Sequence, residues 1–240
     1  MDYQSVSAIL IKSLDLASPP VALAFVDAAT GKASAGEAAP APSSCSFWRN
    51  AEAGLFFAPA ASHGGCPVGA MVMGFELSNA LKEELGGLVS EMVNRNYLVS
   101  DEPARIPVNA STPEGILYGP LARFPFAPHV VVCWLTPSQA MIWNEAAGAA
   151  IWADKKASSV FGRPACAALP YSIKNNTPVL SFGCIGMRTF TEVSDDRLLA
   201  AIPGTKLLEF VQEVAQTQQT NIDMQSIYAS RKKNFAARTL

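Results

Sequence analysis

The sequence predicts an α/β or α+β fold, a compact mixed sheet flanked by helices, with residues 1–240 forming a single compact domain. Three observations predict it. Half of the 240 residues are apolar and 16% are charged, the composition of a globular chain with enough length for a full core. Apolar runs of strand length recur, most clearly at 21–26 and 130–135. Segments of helical periodicity alternate with those runs.

The first helix is expected over 6–16, where Val6, Ile9, Leu10 and Leu14 repeat at helical spacing and Pro19-Pro20 stops the chain. A buried strand follows at 21–26. Residues 27–43 are rich in Ala, Gly, Pro and Ser and predict a flexible loop, closed by Ser43-Ser44 as a helix cap before Cys45. A short strand is expected at 55–58, a turn at His63-Gly64-Gly65-Cys66-Pro67, a helix at 68–74, and a longer helix at 78–97, weakened at Gly86-Gly87. Pro103, Pro107 and Pro113 make 101–113 a connection. Strands are expected at 116–119 and 130–135, and Thr136-Pro137 opens a helix that runs through Trp152, with proline in its first turn. A short strand at 160–161, a helix over 164–171 carrying Cys166, and a strand over 179–182 follow. Ser194-Asp195-Asp196 is read as the cap of a short helix ending before Pro203, with terminal helices at 205–218 and 224–237. The turns Gly65-Cys66-Pro67-Val68-Gly69 and Gly183-Cys184-Ile185-Gly186 echo one another, which suggests pseudo-repeated halves, 1–100 and 114–240.

Charge and motifs exclude several function classes. Eighteen basic against twenty acidic residues leave a net charge of −2, which argues against a nucleic-acid partner. The start Met1-Asp2-Tyr3-Gln4 lacks a basic leader, and no run approaches the ~20 apolar residues that span a bilayer. A cytoplasmic protein without a membrane partner is expected. No phosphate-binding glycine loop and no serine-nucleophile elbow occur. His63 and His129, the only histidines, fall in no metal-binding helix motif, so multi-histidine zinc hydrolysis is disfavoured.

The chemistry is concentrated in sulfur. Five cysteines in an apparently cytosolic chain argue against a disulfide framework. Cys133, set among Val, Trp and Leu in a strand, reads as a core filler. Cys45, Cys66, Cys166 and Cys184 instead sit where elements meet, beside helix starts or glycine turns that favour a thiolate. Four thiolates suit an iron–sulfur cluster or a structural zinc, although no C-x-x-C pair is present and the ligands must converge through the fold. Gly65, Gly183 and Gly186 are expected to turn backbone amides toward sulfur. Arg49 and Arg188 each follow a cysteine by four residues and are candidates to hold an anionic small molecule. Cys66 or His63 also permits a haem or other tetrapyrrole. The tryptophans read chiefly as packing, Gln139 as a solvent-facing helix start, and the basic tail around Arg231, Lys232, Lys233 and Arg238 as a solvated face packed through Ile227, Tyr228 and Phe235.

Taken in order, Pro20-Val21-Ala22, Cys45, Cys66 with Gly69, Pro137-Ser138-Gln139-Ala140-Met141, Cys166, Ser181-Phe182-Gly183-Cys184-Ile185-Gly186-Met187-Arg188 and Ile202-Pro203 resemble the bacterial and archaeal family known as domain of unknown function 169, from about residue 5 to residue 215. The resemblance implies one compact unit, with the cysteines at recurring landmarks, and brings no assigned reaction.

The function expected is a cysteine-ligated metal protein, iron–sulfur above zinc, with a redox or electron-transfer role on a small organic molecule, as an oxidoreductase or beside a redox partner protein or a second copy of itself. The alternatives are a metal-free small-molecule-binding protein or enzyme with one reactive cysteine, Cys184 or Cys66, and a tetrapyrrole-binding protein.

Overall fold

The structure, a computed structural model, describes residues 2–148 and 160–238. In chain order the elements are α1 (Tyr3–Leu14), β1 (Val21–Val26), α2 (Ala28–Ser34), α3 (Ser46–Asn50), β2 (Phe56–Pro59), α4 (Pro67–Val72), α5 (Asn79–Asn94), β3 (Gly115–Pro120), β4 (Val130–Leu135), α6 (Pro137–Ala146), β5 (Val160–Phe161), α7 (Ala168–Asn175), β6 (Val179–Ser181), α8 (Ile185–Thr191), β7 (Leu198–Pro203) and α9 (Leu207–Arg238). The strands form one sheet in the order β2-β3-β1-β4-β7-β6-β5. Neighbours are antiparallel except for the short β5–β6 edge, which is parallel.

The pleat of each strand divides its side chains between two cores. Val21, Leu23 and Phe25 of β1 join Ile116, Tyr118, Val132 and Trp134 under α3, α4 and α7. Ala22 and Ala24 join Leu117, Val131 and Cys133 under α1, α6 and α9. Helices therefore cover both faces, which is why the strands read as unbroken apolar runs and not as an alternation of apolar and polar residues. Cys133 lies in the core opposite the other cysteines, where burial pushes its thiol up to about 12.

The strand order has an internal symmetry. Outward from the central β1–β4 pair, one side reads β3 then β2 and the other β7 then β6. With the short edge strand β5 set aside, each half places its first strand centrally, its third next to that and its second beyond the third. Cys45 lies between the first and second strands of its half, as does Cys166; Cys66 and Cys184 each lie between the second and third. The echo between the two glycine–cysteine turns is thus an echo of topology, and the first repeat closes after β3.

Several expectations fail for identifiable reasons. Residues 27–43 are not a loop throughout. Asp27 accepts from the Thr30 amide and starts α2, and Gly31 lies so close to the Phe57 ring that a β-carbon there would overlap it. The segment expected as a helix before Pro203 is strand β7, buried from Leu199 onward between β4 and β6. Its Leu-Leu-Ala-Ala run has high helix propensity, and the slot in the sheet overrides it. The two terminal helices are one, α9, and Ile227, Tyr228 and Phe235 are exposed on it. Helix α5 passes through Gly86-Gly87 unbroken. The expected helix from Pro137 is described as far as Ala146; Trp152 lies outside the described residues. Gln139 is not solvent-facing: it closes a capping box with Thr136 and donates to the Asp15 carbonyl at 2.8 Å.

Candidate functional site

The cysteines that the sequence singles out come together on one face of the sheet. Cys45 and Cys166 are buried in its core, and Cys184 packs against that core, half-buried. Cys66, also half-buried, stands at the head of α4. The carrying elements interlock crosswise between the halves. Helix α3, headed by Cys45, packs on α8, headed by Cys184, and the Ser46 hydroxyl donates to the Phe190 carbonyl at 3.3 Å. Helix α4, headed by Cys66, packs on the 3-10 turn Ala165–Ala167 that carries Cys166.

Cys66 and Cys184 occupy the same local geometry. Each is the extended N-cap of a short helix, and each sulfur accepts an amide three residues on: Gly69 N–H at 3.3 Å and Met187 N–H at 3.4 Å. Helix caps are normally Ser, Thr, Asp or Asn, because an oxygen accepts better than a neutral thiol. A sulfur used twice as the acceptor suits a position where it carries negative charge.

The four thiols also act on one another's charge. Burial pushes the Cys45 thiol well above its ordinary range, and Cys166, Cys184 and Cys66 each push it further. Burial likewise raises Cys166, with Cys66 and Cys184 adding to it. Cys66 is raised by burial and by Cys184 against the relief given by the Gly69 amide. The sequence expectation of thiols made acidic by helix starts is therefore reversed for these three, because desolvation outweighs the caps. Without a compensating cation they are neutral, poorly nucleophilic thiols. Among the described residues no three Cys, His, Asp or Glu side chains close up tightly enough for a single metal ion.

Other expected site residues lie elsewhere or are occupied. Gly65 packs on backbone, with a β-carbon there 2.5 Å from the Ala41 carbonyl oxygen. Gly183 adopts φ +85° and donates to the Ser181 hydroxyl, while Gly186 faces mostly open space. The amides that reach sulfur belong to Gly69 and Met187. Arg49 pairs with Glu52 at 2.6 Å, and the same carboxylate accepts from the Trp134 indole at 3.0 Å. Arg188 donates to the carbonyls of Phe182, Arg197 and Ser194, so it ties down the loops around α8.

The sequence reading missed two contributors, Gly69 and Tyr118, and weighed a third, His63, only as a tetrapyrrole ligand. At Gly69 a β-carbon would stand 2.9 Å from the Ser44 hydroxyl and 3.5 Å from the Cys66 sulfur, so its bareness lets α4 approach the Cys45 segment. His63 is fully buried, bonded through Nδ1 to the Ser44 hydroxyl at 3.0 Å and enclosed by the rings of Phe47, Phe75 and Tyr118. Burial holds it neutral, down to about 3. Tyr118 on β3 is fully buried, stacked on Phe47 and Phe56, and its hydroxyl has no partner among the described residues. Tyrosine in a strand gives no sequence signal of such a role.

Fold and site together define a three-layer α/β/α protein of duplicated topology with four convergent cysteines on one face of its sheet. The chain belongs to the family of domain of unknown function 169, described as uncharacterised ArCR, which it matches over residues 9–213. No curated protein and no solved structure matches it. Among the described residues no helix is long and apolar enough to cross a membrane.

Proposed function

We propose that Cys45, Cys66, Cys166 and Cys184 hold an iron–sulfur cluster with a redox or electron-transfer role on a small organic molecule. The observation that carries this reading is the gathering on one face of the sheet of four cysteines from four separate segments, two from each half, each within electrostatic reach of others. Uncompensated, each buried thiolate costs several kcal/mol of lost hydration. Iron offsets that cost by drawing the thiols into their deprotonated form. A cluster spans a wider opening than one ion, which fits thiols that face one another without closing on a single centre. The enclosure of His63 by three rings favours this small group over a tetrapyrrole.

The Gly69 and Met187 amides would then bond to ligand sulfur and steady the more negative, reduced state. The outer edge is Cys184, flanked by Phe182 and Ile185, whose side chains are 62% and 67% exposed. That edge is the shortest route for an electron to or from a partner. Arg49 and Arg188 support the site's walls in this reading and do not bind the substrate.

The test is iron and sulfide content with visible absorbance after anaerobic purification. The wild type is expected to be coloured. Serine at any one of the four positions should abolish or strongly deplete the colour, while Cys133→Ala should keep it. A folded, colourless, metal-free wild type after reconstitution with iron and sulfide overturns the proposal.

A further inference from the structure

We infer that the Tyr118 hydroxyl donates a hydrogen bond to a sulfur of the proposed cluster on its Cys45–Cys166 side, as a positioning residue that sets the reduction potential. This rests on the iron–sulfur reading and adds a donor from the sheet to the two amides from the helices. Tyr118 is 0% exposed, and its hydroxyl is one of the few buried polar side-chain atoms without a partner among the described residues. A buried hydroxyl left unmatched is costly, so it is normally paired. Its ring is stacked at 5.5 Å on Phe47, two residues from Cys45, and at 5.4 Å on Phe56, and those two rings meet each other at 5.7 Å, so the three form one cluster. Tyr118 shares one core with Cys45 and Cys166, and these two are the charged groups that act on it.

Chemistry settles the direction of the bond. A phenol this deeply buried keeps its proton and is a donor, while thiolate and sulfide are acceptors. Electron density on the sulfurs rises on reduction, so the bond strengthens in the reduced state and raises the potential. The bond forms and breaks no covalent link and consumes no co-reactant.

The experiment compares wild type with Tyr118→Phe, both reconstituted anaerobically with ferrous iron and sulfide and titrated against a redox dye. Equal iron and sulfide per chain are expected, with the reduced-to-oxidised ratio of the variant lower by about tenfold at a fixed dye potential, or about 59 mV for one electron. A loaded variant with the wild-type ratio overturns the inference alone. A wild type that takes up no cluster overturns the inference together with the function it rests on. If the variant folds poorly, the wild type decides by itself. Its iron–sulfur stretching frequencies should shift in D2O as the phenol proton exchanges, beyond the shift from the two amides. A wild-type spectrum unchanged after full exchange refutes the bond.

Discussion

A single methyl group at position 69 would meet the Ser44 hydroxyl at 2.9 Å and the Ser44 β-carbon at 3.3 Å. Neither atom can retreat far, since Ser44 is fully buried and bonded to His63. Gly69→Ala is expected to destabilise the protein by about 1–3 kcal/mol, an overpacking cost, measurable by urea unfolding. It should also lower iron content, because α4 carries Cys66 on the same rigid piece. His63 makes a second prediction, in the metal-free protein. Its value in the folded state, about 3, lies below the ordinary ~6.5, so below pH 6.5 the unfolded chain binds a proton that the folded chain refuses. Stability due to this group is complete above pH 6.5 and declines as pH falls toward 3, by up to about 1.4 kcal/mol per pH unit. His63→Gln should lack that slope in unfolding experiments across the window; an unchanged slope would show that another group is responsible. Burial also orders the thiols. Iodoacetamide on the native metal-free protein should modify the half-buried Cys66 and Cys184 before the buried Cys45, Cys133 and Cys166, as mapped by peptide mass.

Among the elements, those whose local and tertiary preferences agree were legible in the sequence. The valine-rich β4 and the Thr136-Pro137 start of α6 are such cases. β7 was not, because alanine and leucine favour a helix and only the vacancy between β4 and β6 decides otherwise. The end of β7 shows how tight that slot is. Gly204 donates its N–H to the His129 carbonyl at 2.8 Å, and a β-carbon on it would overlap the Pro128 carbonyl oxygen. Both groups are backbone, with no side chain to swing aside. Gly204→Ala is therefore expected to cost about 3 kcal/mol, the upper end of overpacking losses, read as a fall in the urea midpoint. Near-wild-type stability would mean that the entry to β4 yields more easily than its pairing implies.

At the scale of the molecule, the site was half legible. The four cysteines could be chosen over Cys133 because glycine, proline and helix starts surround them, whereas valine and tryptophan surround the fifth. Their convergence could not be read, since it depends on the crosswise packing of α3 on α8 and of α4 on the turn before α7. The glycines nearest the cysteines in sequence were the natural candidates for amide donors, but an N-cap sulfur receives its bond from three residues further on, which points to Gly69 and Met187. Tyr118 comes from a strand with no sulfur of its own and is tied to the site through space alone. The division of the sulfurs between the halves has a consequence during synthesis. On the proposed reading, a nascent polypeptide that has left the ribosome only as far as β3 presents two of its four ligands, too few to retain iron. Metallation then waits for translation to pass Cys184, and prematurely terminated products should remain pale.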